Sequence, residues 1–351
     1  MSISTQLATW YEENKRDLPW RKTQDPYKIW LSEIILQQTR IEQGLSYYYT
    51  FVDKYPTVSD LAKADLDEVL KDWEGLGYYS RARNLHFTAN HVIESLGGVF
   101  PNTHSELIKL KGIGSYTAAA ISSFSSREKK AVVDGNVYRF LGRLYNLEEP
   151  IDIAKGKKIY EEIADQLLPD SRSDIHNQAI MEFGSTHCTK HKPKCENCIF
   201  QQQCLSLKEN TIELRPVKKK KLKVQNRFLN YYFISVDDQF LIQQRNNKGI
   251  WFKLFQLPLE ESNNLEEFQS HKPSLEFLNR EYIRTIKSEK TITHLLSHQK
   301  LHIRFWIIEL SQLNEPDEFH LITPEESKSK AFPKPIYNFL QNQLKPKFRI
   351  K

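Results

Sequence analysis

Two periodicities divide this 351-residue chain and predict a multidomain protein, all-α at first and α+β at the end. Through residues 1–210, glycines fall at turns and apolar residues recur at helical spacing, as in Ile29, Trp30, Ile34 and Leu36. From Phe228 the pattern changes to a run rich in aromatic and β-branched residues, the mark of a strand. A third observation sets the two halves apart: all four cysteines crowd between Cys188 and Cys204, in the first half.

The length suggests more than one domain. Hydrophobic residues make up 39%, enough for real cores, and charged residues 27%. The net charge of +6 permits a polyanionic partner. No early run has a signal peptide's apolar core, and none approaches the roughly 20 apolar residues of a membrane helix. A cytoplasmic protein is expected.

In chain order, Leu18-Pro19-Trp20-Arg21 and Asp25-Pro26-Tyr27 punctuate the start. Glu33 follows, inside the run WLSEIILQQTR and flanked by apolar residues. It reads either as a solvated helix carboxylate or as a desolvated acid able to donate a proton near neutrality. Glu74 to Arg83, EGLGYYSRAR, is a glycine turn followed by aromatics and cations. Such a loop can wedge a ring into a base stack while arginines hold phosphates, or it can be an ordinary helix connection.

The stretch from Leu107 to Asn136 combines three features. An amphipathic run ends at Gly112-Ile113-Gly114, where two glycines let backbone approach a partner closely. Ser115 opens a small-residue helix whose first N–H groups suit a phosphate. The apolar run Ala131-Val132-Val133 then delivers Asp134, an acid held at the end of a core segment.

The cysteines, Cys188, Cys195, Cys198 and Cys204, suit zinc or a [4Fe–4S] cluster better than disulfides. Only one Cys-x-x-Cys knuckle is present, which favours the cluster. His187 and His191 are candidate zinc ligands, but four cysteines already complete a site. The loop Thr189 to Lys194 has a basic face. Lys218 to Lys221, Lys223 and Arg227 then form a basic linker over residues 211–227, solvated or lying along a nucleic-acid backbone.

In the last third, Phe228–Val236 and Gln239–Gln244 read as a hairpin turning at Asp237-Asp238. Leu301–Leu310 reads as a strand with His302, Arg304 and Trp306 on one face. Residues 265–287 and 333–343 read as helices.

Taken together, LPWR, SEIILQQTR, EGLGYYSRARNL, LKGIGSYTAAAI, VVDGNVYR, HNQAIMEFG and the cysteine spacing resemble the helix-hairpin-helix DNA glycosylases with an iron–sulfur cluster. Within them the match is to the adenine DNA glycosylase, or MutY, family. The resemblance covers nearly the whole chain. It implies a helical glycosylase domain over 1–210, with a six-helix part near 24–130 and a cluster part of 1–23 and 131–210. It also implies a MutT-like (Nudix-fold) α+β domain over 228–351. The implied activity is base-excision repair: removal of adenine mispaired with 8-oxoguanine or guanine from double-stranded DNA, by a monomeric enzyme.

The resemblance also implies roles for individual residues. Glu33 is the acid that protonates adenine N7, and Asp134 stabilises the oxocarbenium-like sugar. Tyr116 and Asn136 position these groups and the water. Arg21 and Gln178 line the adenine pocket, while Gln38 and Tyr78 form the wedge beside the oxidised base. Gly112, Gly114 and Ser115 hold a DNA strand. Cys188, Cys195, Cys198 and Cys204 hold the [4Fe–4S] cluster. The sibling endonuclease III carries a lysine where Tyr116 stands, and tyrosine cannot form its Schiff base, so a monofunctional glycosylase is expected. Ser297 and His298 match the loop that hydrogen-bonds 8-oxoguanine, with Leu296 where many relatives have phenylalanine. Glu260, Glu261, Glu266 and Glu267 do not form the REUxEE pattern, so that domain is expected to bind, not hydrolyse. A catalytically silent lesion sensor and a zinc-dependent structural protein are the alternatives.

Overall fold

The computed structural model describes residues 1–219, 224–273, 280–313 and 317–344. Helices fill the first 210 residues, as the periodicity predicts. They are α1 (Ile3–Asn14), α2 (Pro26–Leu36), α3 (Ile41–Lys54), α4 (Val58–Lys63), α5 (Leu66–Asp72) and α6 (Ser80–Ser95). Then follow α7 (His104–Leu107), α8 (Ser115–Ser126), α9 (Gly135–Leu144), α10 (Ala154–Leu167), α11 (Ser173–Thr186) and α12 (Leu205–Lys208). The described residues divide into two compact units. One takes those of Met1–Lys63 and Asn84–Lys221, the other those of Ala64–Arg83 and Leu222–Lys351.

In the first unit the start of α2 follows from its sequence. Asp25 caps it by accepting from the Tyr27 N–H, and Pro26 occupies the first turn, where no donor is needed. Tyr27 and every residue from Ile29 to Ile35 are buried, so α2 is covered on all sides. It packs against α3 and α8. A second core joins α1, α9 and α11 through Leu7, Tyr11, Val137, Phe140 and Phe183, and Phe200 closes it from the cysteine segment. Burying each such side chain contributes roughly 1.5–3 kcal/mol. That surplus lets α2 keep a buried glutamate.

The second unit is built on a mixed sheet with strands β1 (Gln225–Val236), β2 (Gln239–Gln244), β3 (Phe255–Gln256), β4 (Leu259–Ser262), β5 (Ile283–Ser288), β6 (Ile292–Leu295), β7 (Gln299–Leu310) and β8 (His320–Ile322). The main path runs β3-β2-β1-β7-β5. The long central pair, β1 and β7, is parallel and in register from Gln225↔Gln299 to Val236↔Leu310. The expected hairpin is present, with Asp237 left-handed at its turn (φ 52°). On β7, Leu301, Ile303, Phe305 and Ile307 are buried, while His302, Arg304 and Trp306 share the half-buried face. Short helices α13 (Leu265–Ser270) and α14 (Pro324–Ser327) precede α15 (Lys334–Gln343), whose Ile336, Phe339 and Leu340 join the sheet core.

Two expectations change. Of the helix expected over 265–287, only Leu265–Ser270 is helical, residues 274–279 lie outside the described residues, and Ile283–Ser288 is strand β5. Pairing with β7 overrides the local helical spacing of Ile283 and Ile286, with a register shift between Ile283 and Thr285. Ala64–Arg83, expected within the helical domain, groups with the sheet unit. There Asp67 accepts from Gln244 Nε2 (3.0 Å), Glu74 from the Phe332 N–H (2.9 Å), and Arg83 donates to the Phe252 carbonyl (2.7 Å). In the basic linker, the Lys219 N–H donates to Asp152 Oδ1 at 3.0 Å. Lys220, Lys221 and Lys223 lie outside the described residues.

Candidate active site

Three helices of the first unit bring the predicted acid and carboxylate to one cavity of about 460 Å³. Glu33 comes from α2, Tyr116 from the first turn of α8, and Asp134 and Asn136 from the start of α9. Arg21 and Gln178 line the same cavity, with Trp20, Glu182 and Ser185. All six residues expected to act on the base or sugar therefore meet there, although they are spread from position 21 to 178.

Asp134 is held on both oxygens. As N-cap of α9, its Oδ1 accepts from the N–H groups of Asn136 and Val137, each at 2.8 Å. Its Oδ2 accepts from Asn136 Nδ2 at 2.6 Å. Arg139 donates in turn to Asn136 Oδ1 at 2.8 Å, to the Gly184 carbonyl and to the Cys188 carbonyl at 2.8 Å. Gly184 is required at that crossing, because a Cβ there would lie 2.7 Å from the Asn136 carbonyl oxygen. Just before Asp134, the buried Asn177 accepts from the Val132 N–H at 3.1 Å and so fixes the run that delivers it.

The electrostatics follow from these partners. Glu33 is 8% exposed, and burial pushes its carboxyl up to about 7. The hydrogen bond from Tyr116 Oη to Oε2, 2.8 Å, opposes that rise, and the Asp134 charge adds to it. The rise from 4.5 to about 7 corresponds to roughly 3 kcal/mol of lost preference for the anion. Burial also raises Asp134, against the N-terminal amides of α9, the Asn136 amide and Arg139. Tyr116 is held far above its ordinary value by burial and by both carboxylates, so it stays a neutral donor.

Glu182 is the residue that sequence reasoning missed. Its side chain is wholly buried, yet Arg16 meets both its oxygens at 2.7 Å, and Arg21 reaches Oε2 at 2.7 Å. Burial alone would raise its carboxyl, but these hydrogen bonds outweigh burial and bring it down to about 2. The signal was present in HNQAIMEFG: Glu182 lies four residues after Gln178, on the same helical face. Gln178 Oε1 accepts from Tyr11 Oη at 2.7 Å, which leaves the amide nitrogen as its donor into the cavity.

The other predicted residues lie outside this cavity. Gln38 follows α2, exposed and left-handed (φ 58°). Gly112 needs its positive φ of 83°, and a Cβ there would come within 2.8 Å of Asn84 Cβ. Thr88 braces the same hairpin by donating to the Lys111 carbonyl at 2.8 Å. Gly114 caps α8 with no side-chain acceptor, and Gly112, Gly114 and Ser115 are exposed. In the second unit, Tyr78 is 51% exposed and its hydroxyl hydrogen-bonds Ser297 Oγ. Ser297 and His298 are exposed in the β6–β7 turn, and Leu296 packs against the sheet core.

The glutamates after β3 serve the fold. Glu260 accepts from Tyr232 Oη at 2.5 Å, Glu261 pairs with Arg227 through two bonds of 2.6 Å, and Glu267 accepts from the Asn263 N–H at 2.9 Å.

The four cysteines are free thiols lining one small space of about 30 Å³. Cys188, Cys198 and Cys204 pack on the α9–α11 core. The Phe200 N–H donates to Cys198 Sγ at 3.4 Å and Arg143 Nη1 to Cys188 Sγ at 3.5 Å, donors that suit thiolates. Burial and the neighbouring thiols raise Cys198 to about 11, and Cys195 and Cys204 also rise, so as bare thiols they are protonated. Among the described residues, no three His, Cys, Asp or Glu side chains are grouped as ligands of a single ion would be. His187 instead stacks on Phe183, with ring centroids 4.7 Å apart, and His191 is exposed.

Residues 31–169 match the family model for HhH-GPD superfamily base excision DNA repair proteins, and residues 230–342 match that of the NUDIX domain. The adenine DNA glycosylase of Buchnera aphidicola subsp. Baizongia pistaciae is 34% identical over 86% of this chain and 85% of its own. That of Buchnera aphidicola subsp. Acyrthosiphon pisum is 30% identical over 97% of each chain. Among solved structures, a thermostable thymine-DNA glycosylase superposes with a TM-score of 0.55 and 31% identity, over 59% of this chain and 95% of its own. An endonuclease III in a non-covalent DNA complex gives 0.52 at 22% identity, over 59% of this chain and 94% of its own, which speaks for the fold. With two matched domains and relatives aligned along almost its full length, the chain belongs to the adenine DNA glycosylase family, helix-hairpin-helix repair enzymes acting on N-glycosyl bonds.

Proposed function

We propose that this enzyme excises adenine opposite 8-oxoguanine or guanine in duplex DNA, hydrolysing the N-glycosidic bond without cutting the strand. The adenine leaves the base stack to enter the Glu33 cavity, and a mispair lowers the cost of that step. Glu33 gives its proton to adenine N7, so the base departs neutral as the N9–C1′ bond breaks. Asp134, anionic and held by the α9 amides, stabilises the positive sugar. Water then bonds to C1′, and its proton passes to a carboxylate. Two carboxylates in unlike surroundings divide the roles of acid and charge stabiliser. The observation that carries this reading is the pairing itself: a buried acid raised to about 7 beside an amide-held aspartate in one cavity.

Asn136 and Tyr116 position these groups, while Arg21 and Gln178 read the adenine edge. Tyr116 cannot form a Schiff base, which supports a monofunctional reaction. The hairpin Gly112–Ser115 grips the DNA backbone, Gln38 and Tyr78 wedge beside the mispair, and Ser297 with His298 hydrogen-bonds the oxidised guanine. The cysteines hold a [4Fe–4S] cluster. Four cysteines lining one space, with only one Cys-x-x-Cys knuckle among them, favour it over zinc. Such a cluster would tie the basic loop to the α9–α11 core. We expect the enzyme to act as a monomer in the cytoplasm, at the nucleoid.

The test is single-turnover adenine release from duplexes carrying 8-oxoguanine:A, G:A and T:A. Release from the first two, none from T:A, and none by Glu33→Gln are expected. Equal release by Glu33→Gln, or strong borohydride-trapped adducts, would overturn the assignment.

A further inference from the structure

The loop from Gly75 to Tyr78 is left-handed at three of its four residues, with φ of 101° at Gly75, 71° at Gly77 and 46° at Tyr78. The glycines accept this freely. A tyrosine does not, and it keeps such a backbone only where its surroundings over-determine it. Beside Gly77 there is open space, since a Cβ there would meet nothing within 4 Å, and the Tyr78 hydroxyl at the tip of the ring meets Ser297 Oγ. The support for the backbone comes from beneath.

Arg81, the second residue of α6, is 8% exposed. Its Nη2 donates to the Leu76 and Gly77 carbonyls, each at 3.2 Å, and its N–H donates to the Tyr78 carbonyl at 2.9 Å. The guanidinium lies 5.0 Å from the Trp73 ring centre and 5.7 Å from that of Tyr78. Trp73 Nε1 adds a second donor to the Gly77 carbonyl, at 3.0 Å. One planar cation thus ties down the loop backbone and stands against the ring that the loop presents.

We infer that Arg81 is a positioning residue for mispair discrimination, holding Tyr78 in its left-handed, outward pose before DNA arrives. The inference rests on the proposed wedge role of Tyr78. Fixing the ring in advance removes an ordering cost that binding would otherwise meet. Lysine would keep the charge but lose the flat fork that reaches two carbonyls and stacks on rings.

The experiment uses the full-length protein and duplexes with 2-aminopurine beside the mispair, whose emission rises when a wedge unstacks it. Mispair-over-matched binding is measured in parallel. Tyr78→Ala should lose most of the emission rise. Arg81→Lys should lower the binding preference about three- to tenfold, and adding it to Tyr78→Ala should change nothing further, because contacting residues couple. Gly77→Ala perturbs only the backbone and serves where Arg81→Lys fails to fold. It should produce a smaller loss that also vanishes in the Tyr78→Ala background. A wild-type preference in Arg81→Lys, or a loss that adds in full to Tyr78→Ala, would overturn the inference while leaving Tyr78 as the wedge. A wild-type preference in Tyr78→Ala would overturn both.

Discussion

Two glutamates in the wall of one cavity, on different helices, are almost equally buried and behave in opposite ways. Glu33 is 8% exposed and sits at about 7, whereas Glu182 is 1% exposed and sits at about 2. Glu33 receives one neutral hydroxyl and faces another carboxylate. Glu182 receives two guanidiniums and the Arg16 N–H. A neutral hydrogen bond contributes about 1 kcal/mol net, but a unit charge near 4 Å contributes about 4 kcal/mol at an effective dielectric of 20. The charged partners therefore decide the sign. One glutamate keeps a proton to give, and the other stays a fixed anion that orients Arg21.

The largest expected effect comes from the first glutamate. Glu33→Gln should slow single-turnover excision by about 10²- to 10⁴-fold. In the wild type, the rate should fall tenfold per pH unit above about pH 7, where Glu33 loses its proton. A flat profile to pH 9 would remove the acid role.

Next comes the second glutamate. Glu182→Gln leaves two arginines uncompensated and should cost about 3 kcal/mol in urea unfolding, the lower end for a buried pair because Arg16 is 37% exposed. The two glutamates also bend the stability curve oppositely. Glu182, with its value depressed, contributes stability above about pH 4.5 that is lost as pH falls through about 2. Glu33, with its value raised, contributes most below about pH 4.5, and that contribution is lost as pH rises through about 7. Unfolding midpoints of the two variants across pH 2–8 would show whether the slopes differ in sign.

The smallest effect lies outside the cavity. Replacing Ser297 and His298 by alanine should reduce the preference for 8-oxoguanine:A over G:A by about three- to tenfold, with adenine release from G:A little changed. Unchanged discrimination would remove these residues from lesion reading.

Much of the site was legible because its signals are local. Asp134 follows an apolar run and opens a helix, so its cap geometry was written in VVDGN. Glu33 stands alone in an apolar helix, so its burial was readable. The cysteines announced themselves by crowding. The sequence showed Glu182 only as a helical neighbour of Gln178; its charge was not legible, because that depends on Arg16 and Arg21, over 160 residues away. Strand β5 was misread as helix for the same kind of reason: the edge of β7 supplies the hydrogen bonds that decide its state.

Periodicity, glycine placement and motif spacing therefore determined the helical and mixed halves, the glutamate inside an apolar helix, the aspartate that opens α9 and the crowding of the four cysteines. Each depends on a residue's own backbone preference or its near neighbours. The tertiary structure decided which glutamate holds its proton. It also drew Ala64–Arg83 into the sheet unit and set Arg81 beneath Tyr78. Those outcomes depend on charges and hydrogen-bond partners that only the folded chain brings within a few ångströms.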